Sequence, residues 1–508
     1  MQNLLTVFET FRIFSRYEVD WKDHPPIRSI QFNMKNALIL LLFLSLLPNL
    51  LTAKLKVGTA AVDISPTVFP MQLRSGKSDY VHDPLHVRAL AFENGEGRAV
   101  IAIVDAIGVG RDMCDEAKAK VAEATGWKPE NMLVAGTHTH SAPKGGDTSP
   151  GRIAYEKTRR EGLAKALQQA IESLEPAKVG FSSAEEPSEV FNRRWYLKPG
   201  TMDDNPLGGK DLVRTNAPRQ NLLKPAGPVD PELCVVYART QRGKPLGLLA
   251  NYALHYVGGI PKVIEESGRE VGMASADYFG EFARIMPYRV GGQYQENFVA
   301  MMSNGTSGDI NNIDFYGKRP RRAPFEQCRV VATKTADAAA EAVKGIETYH
   351  DNPKIEMLQR EVDLRYRIPT EEEVAQAKKL MILPRKQREA INKRTGSVAT
   401  RTLEYASPDA KKTEPVLIQA LRIGDQAIVT MPFEVLVEIG LEIKEKSPFE
   451  KTFMIELANG GYGYLPPPNQ HKLGGYETWL GTSRFHPESS MVLTKHLLEM
   501  LEELKGEE

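Results

Sequence analysis

The chain has 508 residues, 65 Lys+Arg against 65 Asp+Glu, 42% hydrophobic residues and 26% charged ones. That is an ordinary globular composition, which argues against a disordered, collagen-like or coiled-coil chain. The zero net charge gives no general electrostatic reason to expect nucleic acid or an anionic membrane as partner. Three cysteines, Cys114, Cys234 and Cys328, with no CxxC spacing, exclude both a disulfide framework and a thiolate zinc cluster.

Met34-Lys35-Asn36 precede an unbroken apolar run over 37–47, which Pro48 ends, and Leu51-Thr52-Ala53 places a small residue before Lys54. A basic start, a short apolar core and a small-residue exit form a signal peptide, here over 34–53. A spanning helix would need about 20 apolar residues. Export to a periplasmic or secreted location, with cleavage near Lys54, is expected. Residues 1–33 read as a gene-model extension, and 54–508 as the functional domain.

From Lys54 onward, short β-rich runs alternate with helical ones. Residues 87–92 and 99–104 read as strands, the second buried because its hydrophobicity is nearly continuous. A helix over 112–124 is ended by Gly126 and Pro129. A strand over 131–135 runs straight into Gly136-Thr137-His138-Thr139-His140-Ser141. A helix follows over 154–174, then strands at 179–181, 233–237 and 246–254. Residues 198–227, rich in Pro, Gly, Asp and Asn, read as a long loop, and such loops are usually functional or mobile. Residues 328–343 are helical, 354–368 extended, and 370–394 form a charged helical excursion broken at Pro384. Strands at 416–423 and 427–431 form a hairpin around Gly424-Asp425. An amphipathic helix over 488–504 closes the chain, with Leu493, Leu497, Leu501 and Leu504 on one stripe. The pattern predicts an α/β fold of mixed β-sheets flanked by helices in one catalytic domain.

Two of the ten histidines, His138 and His140, lie two apart in a polar loop at a strand end. In extended chain, alternate residues share a face, so both imidazoles are expected to look into one cleft. Imidazole suits zinc, but HxH in a polar loop also fits a hydrogen-bonded loop histidine. His255 ends an apolar strand before Gly258, where a satisfied buried histidine is the simpler reading. The turn 304–312 is punctuated by glycine and lacks the lysine of a P-loop. Glu434 follows the strand 427–431 and reads as a residue opening a helix, favoured by the helix dipole. No Gly-x-Ser-x-Gly elbow or His-Glu-x-x-His helix is present.

Six segments in order resemble the neutral, non-lysosomal ceramidase family: the loop 135–143, Asn192-Arg193, 250–255, Ser307-Gly308-Asp309-Ile310-Asn311, Met431-Pro432-Phe433-Glu434, and 459–464 with Gly475-Tyr476-Glu477. The resemblance implies a zinc-dependent amidohydrolase of lipid and sphingolipid metabolism that attacks an N-acyl bond with metal-activated water. It puts His138, His255, Glu434 and Tyr464 on the zinc-ligand positions. His140, Arg193 and Tyr476 fall on positions that bind and polarise the amide, with protonated His140 giving a proton to the leaving amine, and Asp309 supports a neighbouring group. The implied partner is a small N-acyl molecule, and no membrane span remains after signal cleavage. The family's serine is replaced by Asn311, which is then expected to orient substrate or support the oxyanion. The C-terminal β-domain of many members is not found before Glu508, and 198–227 and 370–394 look like local elaborations. Hydrolysis of an ester or sugar derivative, or lipid or glycan binding without turnover, are the competing readings.

Overall fold

The computed structural model describes residues 55–74, 76–144, 148–258, 263–264, 267–268, 270–317 and 322–506. The signal-peptide segment and the stretch before it lie outside the described residues. Eight strands share one sheet: β1 (Lys56–Asp63), β2 (His86–Asn94), β3 (Gly97–Val104), β4 (Met132–Gly136), β5 (Glu175–Glu185), β6 (Glu232–Thr240), β7 (Pro245–Tyr252) and β8 (Val299–Asn304). Their spatial order is β8-β7-β6-β5-β1-β2-β3-β4. Inner neighbours are antiparallel, whereas the outermost pairs, β7–β8 and β3–β4, are parallel.

The sheet curls on itself. Met301 of β8 and Leu249 of β7 share one buried cluster with Leu90, Ile101 and Leu133 of β2–β4. The two ends of the strand order therefore face each other across a common core. Outside this curl, helices Arg111–Thr125 and Pro150–Glu172 cover β1–β4 through Val121, Leu163 and Leu167. Helices Asp277–Val290 and Glu326–Lys344 cover β6–β8 through Phe282, Val331 and Ala339. Local signals set these helices: Ser149 accepts a hydrogen bond from the Arg152 amide with Pro150 at the first turn, and Gly126 closes the other helix at φ 74°.

A second sheet holds β9 (Ile355–Arg365), β10 (Thr413–Ile423), β11 (Gln426–Met431) and β12 (Lys451–Glu456) in that order. The β10–β11 hairpin forms as expected, while β11 and β12 run parallel. A parallel pair needs a crossover, and helix Val437–Lys446 supplies it. The closing helix Ser489–Lys505 buries Leu493, Leu497, Leu501 and Leu504 completely against this sheet.

Two expectations need correction, and a third holds but extends further than expected. Residues 198–227 do not form an open loop: Val213–Thr215 and Leu222–Pro225 both pair with Arg194–Leu197. Backbone pairing satisfies polar groups that composition alone assigns to solvent. The excursion 370–394 holds helices Glu371–Ile382 and Arg385–Ile391, parted at Pro384, and continues into a third helix, Thr395–Tyr405, packed through Ala377, Leu380 and Ala399. Glu434 does not open a helix. It pairs with Tyr464 in a two-residue parallel ladder, and the helix begins at Val437.

Candidate metal centre

β4 and β7 each end at a histidine-bearing loop, and the curl of the sheet brings the two loops together. His138 and His255 ring centroids are 4.4 Å apart, and those of His138 and His140 4.5 Å. All three histidines are buried, and their ligating nitrogens lie within 4.8 Å of one another. This group can hold a metal ion.

The convergence of His138 and His140 was expected, but its cause differs. His138 is not extended; it takes the left-handed conformation, φ 67°. That conformation is uncommon outside glycine and is imposed here by the surroundings. The loop is pinned by Thr137 N to Val104 O, His138 N to Ala106 O, and Thr139 Oγ1 to Ser275 O. Behind it, Asn459 accepts from buried Lys118 Nζ at 2.7 Å and donates to Gln419.

Two histidines are oriented by backbone carbonyls. His138 Nδ1 donates to Ile107 O at 2.7 Å, and His255 Nδ1 to Ser307 O at 3.1 Å. With those protons committed, each Nε2 lone pair faces the centre, and His255 Nε2 is buried without a hydrogen-bond partner. Nδ1–H to carbonyl is the usual support of a metal-binding histidine. Glu434 Oε2 lies 3.4 Å from His138 Nε2 and 3.8 Å from His255 Nε2. Burial works to raise the Glu434 carboxyl, but His138, Tyr464 and Arg193 outweigh it and hold it below the usual range.

His140 is different. Arg74 Nη1 lies 2.7 Å from its Nδ1, and a guanidinium can only donate. The proton of neutral His140 therefore sits on Nε2, which points at His138 Nε2 at 2.9 Å. Burial, with His138, Arg74 and Arg193 beside it, pulls the imidazole far below its ordinary value. The expected imidazolium proton donor is replaced by a neutral N–H donor. Tyr256 stacks on this ring at 3.6 Å.

Arg193 Nη2 donates to Gly308 O at 2.6 Å and to Tyr464 Oη at 2.9 Å. Burial opposes its charge, but Tyr464, Glu477 and Glu434 keep it protonated. Glu477 in turn accepts from Arg194 at 2.7 Å. Asp309 acts at one remove: it accepts from Asn192 Nδ2 and from Val437 N, tying the arginine loop to the segment after Glu434. Gly308 is needed for close approach, since a Cβ there would lie 2.7 Å from Glu434 O.

A cavity of about 240 Å³ opens over the cluster, walled by His140, Arg193, His255, Tyr464 and Tyr476. A groove of about 720 Å³ approaches from His138 and Glu434, and Arg74, Arg394 and Tyr476 line both. The structure thus brings His138, His140, His255, Glu434, Tyr464, Arg193 and Tyr476 together. It does not bring Asn311 to the cavity wall. The Asn311 Oδ1 accepts from Ile313 N and its amide donates to Asn216 Oδ1, so the residue closes its own turn, and Asn216 takes the wall position. Sequence reasoning missed Arg74, Asn216, Tyr256 and Arg394. Tyr256 directly follows His255 and was within reach of the sequence; Arg74, Asn216 and Arg394 belong to no motif and come from segments whose course is set by long-range packing. Buried Glu456, which accepts from Ser307 Oγ at 2.7 Å and Val435 N at 2.7 Å, was also missed; a carboxylate ending an apolar strand was its signal.

Fold and cluster together define an α/β protein with a buried histidine–carboxylate group able to hold a metal. No family model matches the chain. It is 26% identical over 268 residues to neutral ceramidase B of Dictyostelium discoideum, covering 50% of this chain and 34% of that protein. It is 25% identical over 281 residues to a neutral ceramidase of Mycobacterium tuberculosis, covering 51% and 41%. The matched segments span roughly a third to two fifths of these curated relatives' lengths. In fold, the chain superposes on the neutral ceramidase from Pseudomonas aeruginosa with TM-score 0.64 at 16% identity, over 89% of this chain and 75% of that one. A ceramidase complexed with C2 gives TM-score 0.66 at 15% identity, with the same coverage. The chain thus resembles neutral ceramidases over part of their sequence and shares their fold.

Proposed function

We propose that the protein hydrolyses the amide bond of an N-acyl compound with a zinc ion held by His138, His255, Glu434 and Tyr464. The observation that carries this reading is the His138–His255–Glu434 cluster at the cavity floor. Its two imidazoles have their outer nitrogens tied to carbonyls, and its carboxylate is ionised. Two neutral nitrogens and a carboxylate oxygen suit zinc, and the adjoining cavity leaves room for substrate. Zinc bound there supplies a water of lowered pKa and polarises a carbonyl.

The other residues act on the substrate. The fixed charge of Arg193 stabilises negative charge developing on the carbonyl oxygen. His140 adds a donor from Nε2, held in that tautomer by Arg74. Tyr476, whose ring lies 5.4 Å from that of Tyr464, orients the amide. The relatives' activity as neutral ceramidases supports C–N hydrolysis. Export through a signal peptide over 34–53 belongs to the same proposal and rests on the sequence pattern. N-terminal sequencing of secreted protein checks that part; a chain still beginning at Met1 overturns it.

The test of the reaction is metal analysis joined to a turnover screen against N-acyl sphingosines, N-acyl amino acids and N-acetyl sugars. About one zinc per chain, loss of turnover on chelation and recovery with zinc are expected. Zinc-loaded protein that cleaves none of these amides, but does cleave the corresponding esters, would overturn the reading.

A further inference from the structure

The groove leading to the cluster is rich in arginine. Its wall carries Arg74, Arg152, Arg159, Arg160, Arg394 and Arg484. Three of these are spent on neighbours. Arg152 and Arg159 pair with Glu156, and Arg160 with Asp112 and Glu116. The other three have no carboxylate partner among the described residues. Arg74 touches only the His140 ring among described side chains. Arg484 keeps a buried Nε with no hydrogen-bond partner. Arg394 sits over Tyr476, its guanidinium carbon 3.6 Å from the ring centroid.

The placement of Arg394 matters most. It lines the cavity over the cluster, the groove, and a third recess shared with Glu434 and Tyr464. Held over the Tyr476 ring, Arg394 carries the guanidinium fork with which arginine grips a carboxylate or phosphate through two parallel hydrogen bonds. Arg74 is exposed and Arg394 and Arg484 are half-buried, so their charges stay open to an anion entering the groove, which would gain charge-assisted hydrogen bonds from them. A long alkyl chain is a poor candidate for that place. Its binding comes from burying methylenes against apolar surface, and it makes no charge-assisted hydrogen bond to the guanidinium groups of this wall.

We infer that the substrate is an anionic N-acyl compound, one that carries a carboxylate or phosphate near the scissile amide, and that Arg394, with Arg74 and Arg484 beside it, binds that anion. The inference rests on the amidase reading above and narrows its substrate class. The reaction is unchanged: the C–N bond breaks, a C–O bond forms from water, and the amine leaves with one of the water's protons. No redox partner is needed.

The experiment compares matched pairs on zinc-loaded full-length protein. N-octanoyl amino acids are set against their primary amides, N-octanoylethanolamine phosphate against N-octanoylethanolamine, and a short-chain ceramide serves as the neutral lipid. The anionic member of each pair should show kcat/KM at least about 10-fold higher. Arg394→Gln should erase most of that preference through KM, by about 10- to 100-fold, which is the usual loss for a charged bidentate contact. The carboxylate and phosphate arms decide which anion is preferred. Arg484→Gln provides a second variant should Arg394→Gln misfold. Calorimetric binding of N-acetyl amino acids to wild type and variants is read in parallel.

Equal kcat/KM for charged and neutral members, or a preference untouched by both variants, overturns the inference while leaving the amidase reading intact. Arginine-dependent binding of the carboxylate without cleavage of any N-acyl compound supports the anion site and sinks the amidase reading. Absence of both binding and cleavage overturns both.

Discussion

Glu434 and Tyr464 are register partners in a two-residue parallel ladder; the Glu434 carboxylate reaches His138 and His255, and Tyr464 lines the cavity beside His140 and His255. The pairing is locked from both sides: Glu434 N donates to Gly463 O at 2.9 Å, and Gly308 N donates to Val435 O at 2.8 Å. The backbone therefore fixes where the carboxylate and phenol side chains start, side by side on one face of the ladder. Glu434→Gln keeps the shape and removes the charge between two imidazoles. Zinc affinity, measured by competition with a chromophoric chelator, should fall by at least the 10- to 100-fold that even indirect supports typically contribute. Unchanged affinity would remove Glu434 from the ligand set.

His255→Ala and His140→Ala should behave differently. His255 presents an unpartnered buried Nε2, so its loss should empty the site. His140 carries its proton on the corresponding atom, so its loss should leave zinc bound while turnover drops about 100- to 1000-fold, as for a lost oxyanion donor. Metal content and turnover of the two variants check this. Equal zinc loss in both would show the roles to be wrongly divided.

Gly308→Ala forces a Cβ to within 2.7 Å of Glu434 O and 2.9 Å of Val435 O, both backbone atoms that cannot rotate away. A stability loss of about 1–3 kcal/mol is expected for such overpacking, together with weaker zinc binding. Denaturant unfolding with and without zinc measures both. A variant as stable as wild type would mean that the ladder yields easily.

Asn311→Ala tests the turn reading. The side chain makes one bond to Ile313 N and one to Asn216, and neither faces substrate. Stability should drop by about 1 kcal/mol. Turnover should change less than for Asn216→Ala, whose side chain sits at the cavity wall. A larger kinetic loss in Asn311→Ala than in Asn216→Ala would restore Asn311 to a direct role.

Asp83 supplies a pH test away from the cluster. Burial, with Asp105 and Asp277 adding repulsion, outweighs the Ser275 and Ala276 donors and pushes its carboxyl up to about 7 from 3.8. A folded value above the unfolded one means that the native state holds the extra proton between 3.8 and about 7. This group's contribution to stability therefore falls as pH rises through that window. Asp83→Asn, which keeps an oxygen for the Ala276 amide, should gain on wild type as pH rises from 4 to 8, read as the difference in melting temperature. A difference independent of pH would contradict the raised value.

Local pattern was enough for much of this protein. Continuous hydrophobicity marked β3, the leucine stripe marked Ser489–Lys505, Pro384 marked a helix break, and the β10–β11 hairpin followed from the glycine between two apolar runs. These are properties of neighbouring residues, where period and turn chemistry act within a few positions. His138 and His140 were legible as candidates from their polar loop at a strand end, whereas His255, Glu434 and Tyr464 became candidates through the resemblance to neutral ceramidases. What the chain pattern could not show is that β4, at one end of the eight-stranded order, and β7, one strand in from the other end, meet at their histidine loops. That depends on the curl of the sheet, which comes from side chains packing across a shared core between segments far apart in sequence. The left-handed turn at His138, the replacement of Asn311 by Asn216 at the wall, and the arrival of Arg74 and Arg394 all follow from the same long-range packing. Periodicity carries no record of such contacts, so only the tertiary structure decided them.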